Sequence, residues 1–201
     1  FTEFNMTTNP LSKNLRYAKR YGFRGMVVPP GLVMNIVLSQ SVEDISENAR
    51  ANLEYINMRY GAPVYIGDTI EVTSTVLGVK PSTRDPGLGV VHVQTTGRNQ
   101  DNHVVLTYER KVQVWKDDPK SDVKEAAAEK VEEVACTPQL PAYNPSRRYG
   151  ELAHLSSPDT YFEDFTPGDL IEHSRGRVMP SAHVALTAML DTTSHVHSNQ
   201  F

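Results

Sequence analysis

The chain has 201 residues, 39% hydrophobic and 22% charged, enough apolar content to build a core in one large domain or two small ones. Its 20 basic and 24 acidic residues leave a net charge of -4, which excludes a general field for nucleic acid or an anionic membrane, so recognition must be local. The single cysteine, Cys136, cannot form an internal disulfide, and no charged-then-apolar leader or long apolar run is seen. A reducing, cytoplasmic compartment is the expectation.

In chain order, Pro10 to Phe23 carries Leu11, Leu15 and Ala18 at helical spacing, with Gly22 and Gly25 as interruptions, and predicts a short amphipathic helix. Pro29-Pro30-Gly31 is a helix-start signal, and the following residues are apolar nearly all round until Glu43 and Asp44, so a buried helix is expected over Gly31 to Ile45. The pattern then changes. Asp68 to Leu77 alternates Ile70, Val72, Ser74 and Val76 with Thr69, Glu71, Thr73 and Thr75, the period of a half-buried strand. Asn52 to Tyr60, Gly89 to Thr96 and His103 to Trp115 read the same way, and the short turns between these runs predict an antiparallel meander curled around the helix, an α+β arrangement.

From Lys116 to about Pro158 the composition shifts to Asp, Lys, Glu, Ala and Pro, read as a linker with a helical turn or two. Strand-like patterning resumes over Tyr161 to Val178, and Ser181 to Asp191 has helical spacing. Three regions follow: 1–115, a linker at 116–158, and 159–201. Residues 186–201 can also be laid over residues 1–16 at constant offset, with Thr187, Thr192, Thr193 and Asn199 falling on Thr2, Thr7, Thr8 and Asn14. Under that alignment Thr8-Asn9-Pro10-Leu11-Ser12 matches Thr193-Ser194-His195-Val196-His197. An imidazole is kept only in the second copy, as expected of a duplicated enzyme with one working and one retired site.

Four pieces, in this order in the scaffold they suggest, carry a family resemblance: Tyr161-Phe162-Glu163-Asp164-Phe165 with Gly168-Asp169, Pro63-Val64-Tyr65-Ile66-Gly67-Asp68-Thr69, Asn99-Gln100, and Thr192 to Asn199. The chain resembles the MaoC-like (R)-specific enoyl-CoA hydratases of the hotdog fold, and among them the mesaconyl-CoA hydratase branch. The resemblance implies parts of two tandem hotdogs, a first unit without its opening strand and a second without its later strands. It also implies an acyl-CoA thioester substrate, short, branched and dicarboxylic, with no cofactor beyond the coenzyme A of the substrate, no nucleic acid or membrane partner, and a homo-oligomer such as a dimer.

Hydrating an α,β-unsaturated thioester needs a base for the water, an acid for the α-carbon and donors for the enolate oxygen. By the family spacing Asp-x-Asn-Pro-x-His, the resemblance puts the catalytic histidine at His197 and the aspartate position at Thr192, with Asn199 in the Val-His-x-Asn pattern of the mesaconyl-CoA branch. Threonine cannot act as a base, though it can orient water, and Asp191 lies one position earlier. Gly31 is the candidate oxyanion donor, since a glycine at a helix start leaves N–H groups free; read structurally, it is simply an N-cap. It would face Ser12, the retired position. His195-x-His197 has no further ligand at metal spacing, and His92, His103, His154, His173 and His183 have no partner pattern. Arg16, Lys19, Arg20, Arg24, Arg147 and Arg148 are candidate phosphate contacts, weighed against solvated faces. The competing readings are a non-catalytic acyl-CoA-binding subunit, favoured by Thr192, and a hotdog thioesterase, disfavoured because Glu43 and Asp44 sit at the far end of the helix.

Overall fold

The structure, a computed structural model, describes residues 8–142, 162–171 and 173. Pro10–Ser12 forms a short 3-10 turn, with Asn9 Oδ1 accepting from the Leu11 N–H at 3.0 Å. Helix α1, Leu15–Arg20, begins on Asn14, whose Oδ1 accepts from the Tyr17 N–H at 2.9 Å. The expected helix over 10–23 is thus two pieces. Gly22, at φ +88, ends the second: the Phe23 N–H bonds to Ala18 O and the Gly22 N–H to Lys19 O.

Helix α2 spans Pro30–Ser39, shorter than the expected 31–45. Pro29 is its N-cap and Pro30 its first residue, so Gly31 sits inside the first turn and is not the cap. Past Ser39 the chain continues as a π-helical turn, Val42–Ser46. Two hydroxyls accompany the change, Ser39 Oγ donating to Asn35 O at 2.6 Å and Ser41 Oγ to Leu38 O at 2.7 Å. A guanidinium from the sheet also takes the Ser41 carbonyl and hydroxyl, and such insertions favour wide turns. Burial is one-sided as well: Val33 and Val37 are buried, whereas Met34, Ile36 and Leu38 are half-buried and Gly31 is exposed.

Strands β1 (Ala49–Tyr60), β2 (Ile70–Pro81), β3 (Leu88–Asn99) and β4 (Val104–Trp115) form an antiparallel sheet with a short fifth strand, β5 (Ala126–Ala127), in the order β1-β4-β3-β2-β5. The four long strands and their antiparallel sense agree with the sequence reading; the meander holds only for β2, β3 and β4. β1 pairs with β4, so residues 61–69 cross from one side of the sheet to the other, held by Ala62 N–H to Val104 O at 2.8 Å and Val28 N–H to Val64 O at 2.8 Å. Beneath α2 lies the core of Val33, Val37, Ala62, Val64, Val105, Leu106 and Tyr108, each buried side chain of this size contributing about 1.5–3 kcal/mol. Gly97 lets the helix sit this close, since a Cβ there would meet Val37 Cγ2 at 2.6 Å.

Residues 116–142 contain no helix, contrary to the expected turn or two: Ala126 and Ala127 pair instead with Val79 and Gly78 of β2. The two Gly-Asp sequences adopt one turn geometry. Gly67 has φ +93 and Gly168 φ +99; Asp68 Oδ2 accepts from the Tyr65 N–H at 2.9 Å, and Asp169 Oδ2 from the Thr166 N–H at 3.0 Å. Phe162–Asp164 forms a 3-10 turn, and Leu170, Ile171 and His173 are exposed and outside any strand. The helix expected over 181–191 lies outside the described residues.

Candidate active site

The start of α2 borders an apolar cleft of about 180 Å³ whose walls include Leu11, Ser12, Pro30, Val33, Tyr60 and Val64. The family resemblance implies that Gly31 faces Ser12; Ser12 shares this cleft with Pro30. Gly31 is not among the residues lining it, and a Cβ on Gly31 would meet nothing within 4 Å. Packing among the described residues therefore does not require glycine there, and the space beside it is open. Tyr60 closes one side by donating its hydroxyl to Pro30 O at 3.2 Å, and burial pushes its pKa up. Among the described residues no Asp, Glu, Lys, Arg or His lines the cleft, so none of them can take a proton from water there. Ser12 thus has no base beside it among the described residues.

His197, Asp191, Thr192 and Asn199 lie outside the described residues, as do His195, His154, His183, Arg147 and Arg148. Among the cationic candidates, Arg24 is committed elsewhere: it forms an ion pair with Asp68 and lies 4.3 Å over the Tyr65 ring. Asp68 is itself nearly buried, its side chain 5% exposed. Burial raises its pKa, but the Tyr65 N–H, Arg24 and Gln100 together outweigh that and hold the carboxyl below the usual range. Glu43 and Asp44 are exposed in the π-helical turn, away from the cleft. Among the described residues no group of three or more His, Cys, Asp or Glu is placed to hold a metal ion.

Two polar clusters were not singled out by sequence reasoning. At the other end of α2, Arg110 has no exposed surface; it donates to Ser41 Oγ at 3.0 Å, Ser41 O at 3.3 Å, Ser46 Oγ at 3.3 Å and Asn52 Oδ1 at 3.5 Å. None of these partners is a carboxylate, and burial pulls the arginine pKa down. Its neighbours Tyr108 and Tyr55, in edge contact at 5.7 Å, have pKa values pushed up mainly by burial. On the opposite face of the sheet, His92 Nε2 and Glu109 Oε2 are 2.9 Å apart, and Asn57 Nδ2 donates to Glu109 Oε1 at 3.0 Å from a β1 bulge where its φ is +52. Alternation alone carries a weak signal for this dyad: His92 and Glu109 lie on the polar phase of β3 and β4, but their adjacency depends on register.

The architecture, an antiparallel sheet laid against one helix, is the hotdog class. A crystal structure of a MaoC-domain dehydratase from Chloroflexus aurantiacus J-10-fl superposes with a TM-score of 0.81 at 33% identity, covering 98% of this chain and 56% of that one. A double-hotdog protein from Mycobacterium tuberculosis, Rv0216, shares the fold at TM-score 0.68 and 18% identity, over 98% of this chain and 60% of that one. The sequence profile described as mesaconyl-CoA hydratase matches residues 6–151, and the chain belongs to that family. The chain is 36% identical over 191 residues to a β-methylmalyl-CoA dehydratase of Chloroflexus aurantiacus, covering 94% of this chain and 54% of that protein. It is 33% identical over 193 residues to a mesaconyl-CoA hydratase of Cereibacter sphaeroides, covering 93% and 54%. The chain spans about half the length of these curated relatives. The profile match covers the sheet and most of the linker and stops before Thr192 to Asn199.

Proposed function

We propose that this chain is part of a hydro-lyase that adds water to, or removes it from, a short branched 2-enoyl-CoA such as mesaconyl-CoA or β-methylmalyl-CoA. The observation that carries the reading is family membership, together with relatives named for those two reactions over more than nine-tenths of this chain. His197 takes a proton from water, the oxygen bonds to the β-carbon, and the electrons of the double bond move to the thioester oxygen as an enolate. As the enolate collapses to the thioester, the protonated His197 returns its proton to the α-carbon, so water is added and the neutral imidazole is regenerated. Thr192 and Asn199 orient the water and the thioester, Asp191 supports the imidazole, and Gly31 offers a backbone N–H to substrate. Coenzyme A enters only as part of the substrate. That no described residue beside Ser12 is a base supports assigning the chemistry to His197 and not to the first unit.

Further parts of the proposal are two hotdog units joined by residues 116–158, a homo-oligomer, and a cytoplasmic location. No helix among the described residues is long and apolar enough to cross a membrane, and the lone Cys136 fits a reducing compartment. A non-catalytic acyl-CoA-binding subunit is the second reading, favoured by Thr192 at the acidic position of the family spacing. The test is to follow loss of the enoyl-thioester absorbance when the purified full-length protein meets mesaconyl-CoA. Turnover is expected; saturable binding of the thioester without turnover would establish the second reading instead.

A further inference from the structure

A guanidinium carries five N–H groups, all of which donate and none of which can accept. In Arg110 four of them are spent: Nη1 donates to Ser46 Oγ at 3.3 Å and Asn52 Oδ1 at 3.5 Å, and Nη2 to Ser41 Oγ at 3.0 Å and Ser41 O at 3.3 Å. The remaining one, on Nε, is buried and meets no acceptor among the described residues. The hydroxyl of Tyr108 is in the same state, close to the Ser41 and Thr95 side chains but in bonding geometry with neither. Those two hydroxyls are already occupied: Ser41 Oγ donates to Leu38 O at 2.7 Å and accepts from Arg110, and Thr95 Oγ1 pairs with Ser74 Oγ at 2.9 Å. Tyr108 and Arg110 lie two residues apart on β4, so their side chains share one face of the sheet, and both approach the same serine.

Two leftover donors on one face make a cluster short of acceptors, and the charge sharpens the need. Arg110 has no exposed surface, and the oxygens it donates to are all neutral. Among the described residues the titratable groups that act on its charge are the phenols of Tyr108 and Tyr55, whose pKa values burial pushes up, so both stay neutral near pH 7. A buried charge is costly unless a counter-ion accompanies it, and a water molecule would satisfy the two donors while leaving that charge uncompensated. We propose that Arg110 Nε–H and Tyr108 O–H bind a small monovalent anion, of the size of chloride, beside Ser41. Such an ion accepts both hydrogen bonds, neutralises the guanidinium and ties β4 more firmly to the turn over 42–46. Because both donors are buried, it has to be compact. Asn52 is the exposed partner of the arginine, which makes its side of the cluster the way in.

The test melts the full-length protein at constant ionic strength while sodium chloride replaces sodium gluconate, whose anion is too bulky to enter. The melting temperature should climb with chloride and then saturate, because an ion bound by the folded state alone stabilises it. Tyr108→Phe removes one hydrogen bond to the ion and should need about tenfold more chloride for half of the rise. Arg110→Met should show no chloride dependence. A crystal soaked in bromide gives a second reading that requires no variant to fold, with an anomalous peak expected at hydrogen-bond distance from Arg110 Nε. A melting temperature indifferent to the chloride fraction, a chloride response that both variants share unchanged with wild type, or a bromide crystal without that peak would overturn the proposal. A bridging water, or a carboxylate brought by the rest of the full-length protein, would give those results. None of these readings involves turnover, so the hydratase reading is left to its own assay.

Discussion

The two ends of α2 are built in opposite ways. At the start, Pro30 and Val33 border an open, apolar cleft to which no described residue brings a charge; past the end, the turn over 42–46 closes on Arg110, a charge with no exposed surface. A reactive site needs space and a titratable group together, and among the described residues neither end has both. The start has the space, whereas the end has the group, held by buried Ser41 and Ser46 and by exposed Asn52. The buried arginine is accordingly a structural tie between β4 and the turn.

The largest expected effect is at the closed end. Arg110→Ala removes the donor to three residues and leaves the oxygens of buried Ser41 and Ser46 unpaired, so urea denaturation should show a loss of roughly 3 kcal/mol. Arg110→Met fills the same volume without a charge to desolvate and should lose about half as much or less. Equal losses would mean that the hydrogen bonds contribute nothing beyond packing. Midway along the helix, Gly97→Ala puts a methyl group 2.6 Å from Val37 Cγ2 and should cost about 1–3 kcal/mol in the same measurement. No change there would show that the helix can lift without penalty.

At the open end the effect is smaller and depends on pH. Asp68 ties Arg24, and with it the segment carrying Phe23 and Val27, to the turn before β2. Its folded pKa is depressed, so its contribution is present above the unfolded value and is lost as pH falls through the folded one. The stability gap between wild type and Asp68→Asn should therefore be widest near neutrality and shrink on acidification. A gap that is constant with pH would assign the effect to shape and not to charge.

How much of this was readable in the sequence differs along the same helix. The start was legible because Pro29 and Pro30 act locally. The end was not, because Arg110, whose guanidinium takes the Ser41 carbonyl, lies on β4, far along the chain. Strand alternation revealed which residues share a face, as in Ile70 to Val76, but it does not say which strand is the neighbour; hence the mistaken place of β1. The alanine-rich stretch around Ala126 has helical propensity, and pairing with an open edge at Gly78 overrides it. For the site, the positions aligned by sequence, Thr192 to Asn199, lie outside the described residues, while the His92–Glu109 dyad required a register that no local pattern reveals.

The central claim is that catalysis belongs to His197 and that the Ser12 position is retired. Steady-state hydration of mesaconyl-CoA by the full-length protein, with His197→Ala and Ser12→Ala side by side, tests it most directly. His197→Ala should lower kcat by about a hundredfold or more with an unchanged melting temperature, and Ser12→Ala should stay within about twofold of wild type. Equal loss in the two variants, or full activity in His197→Ala, would contradict the account.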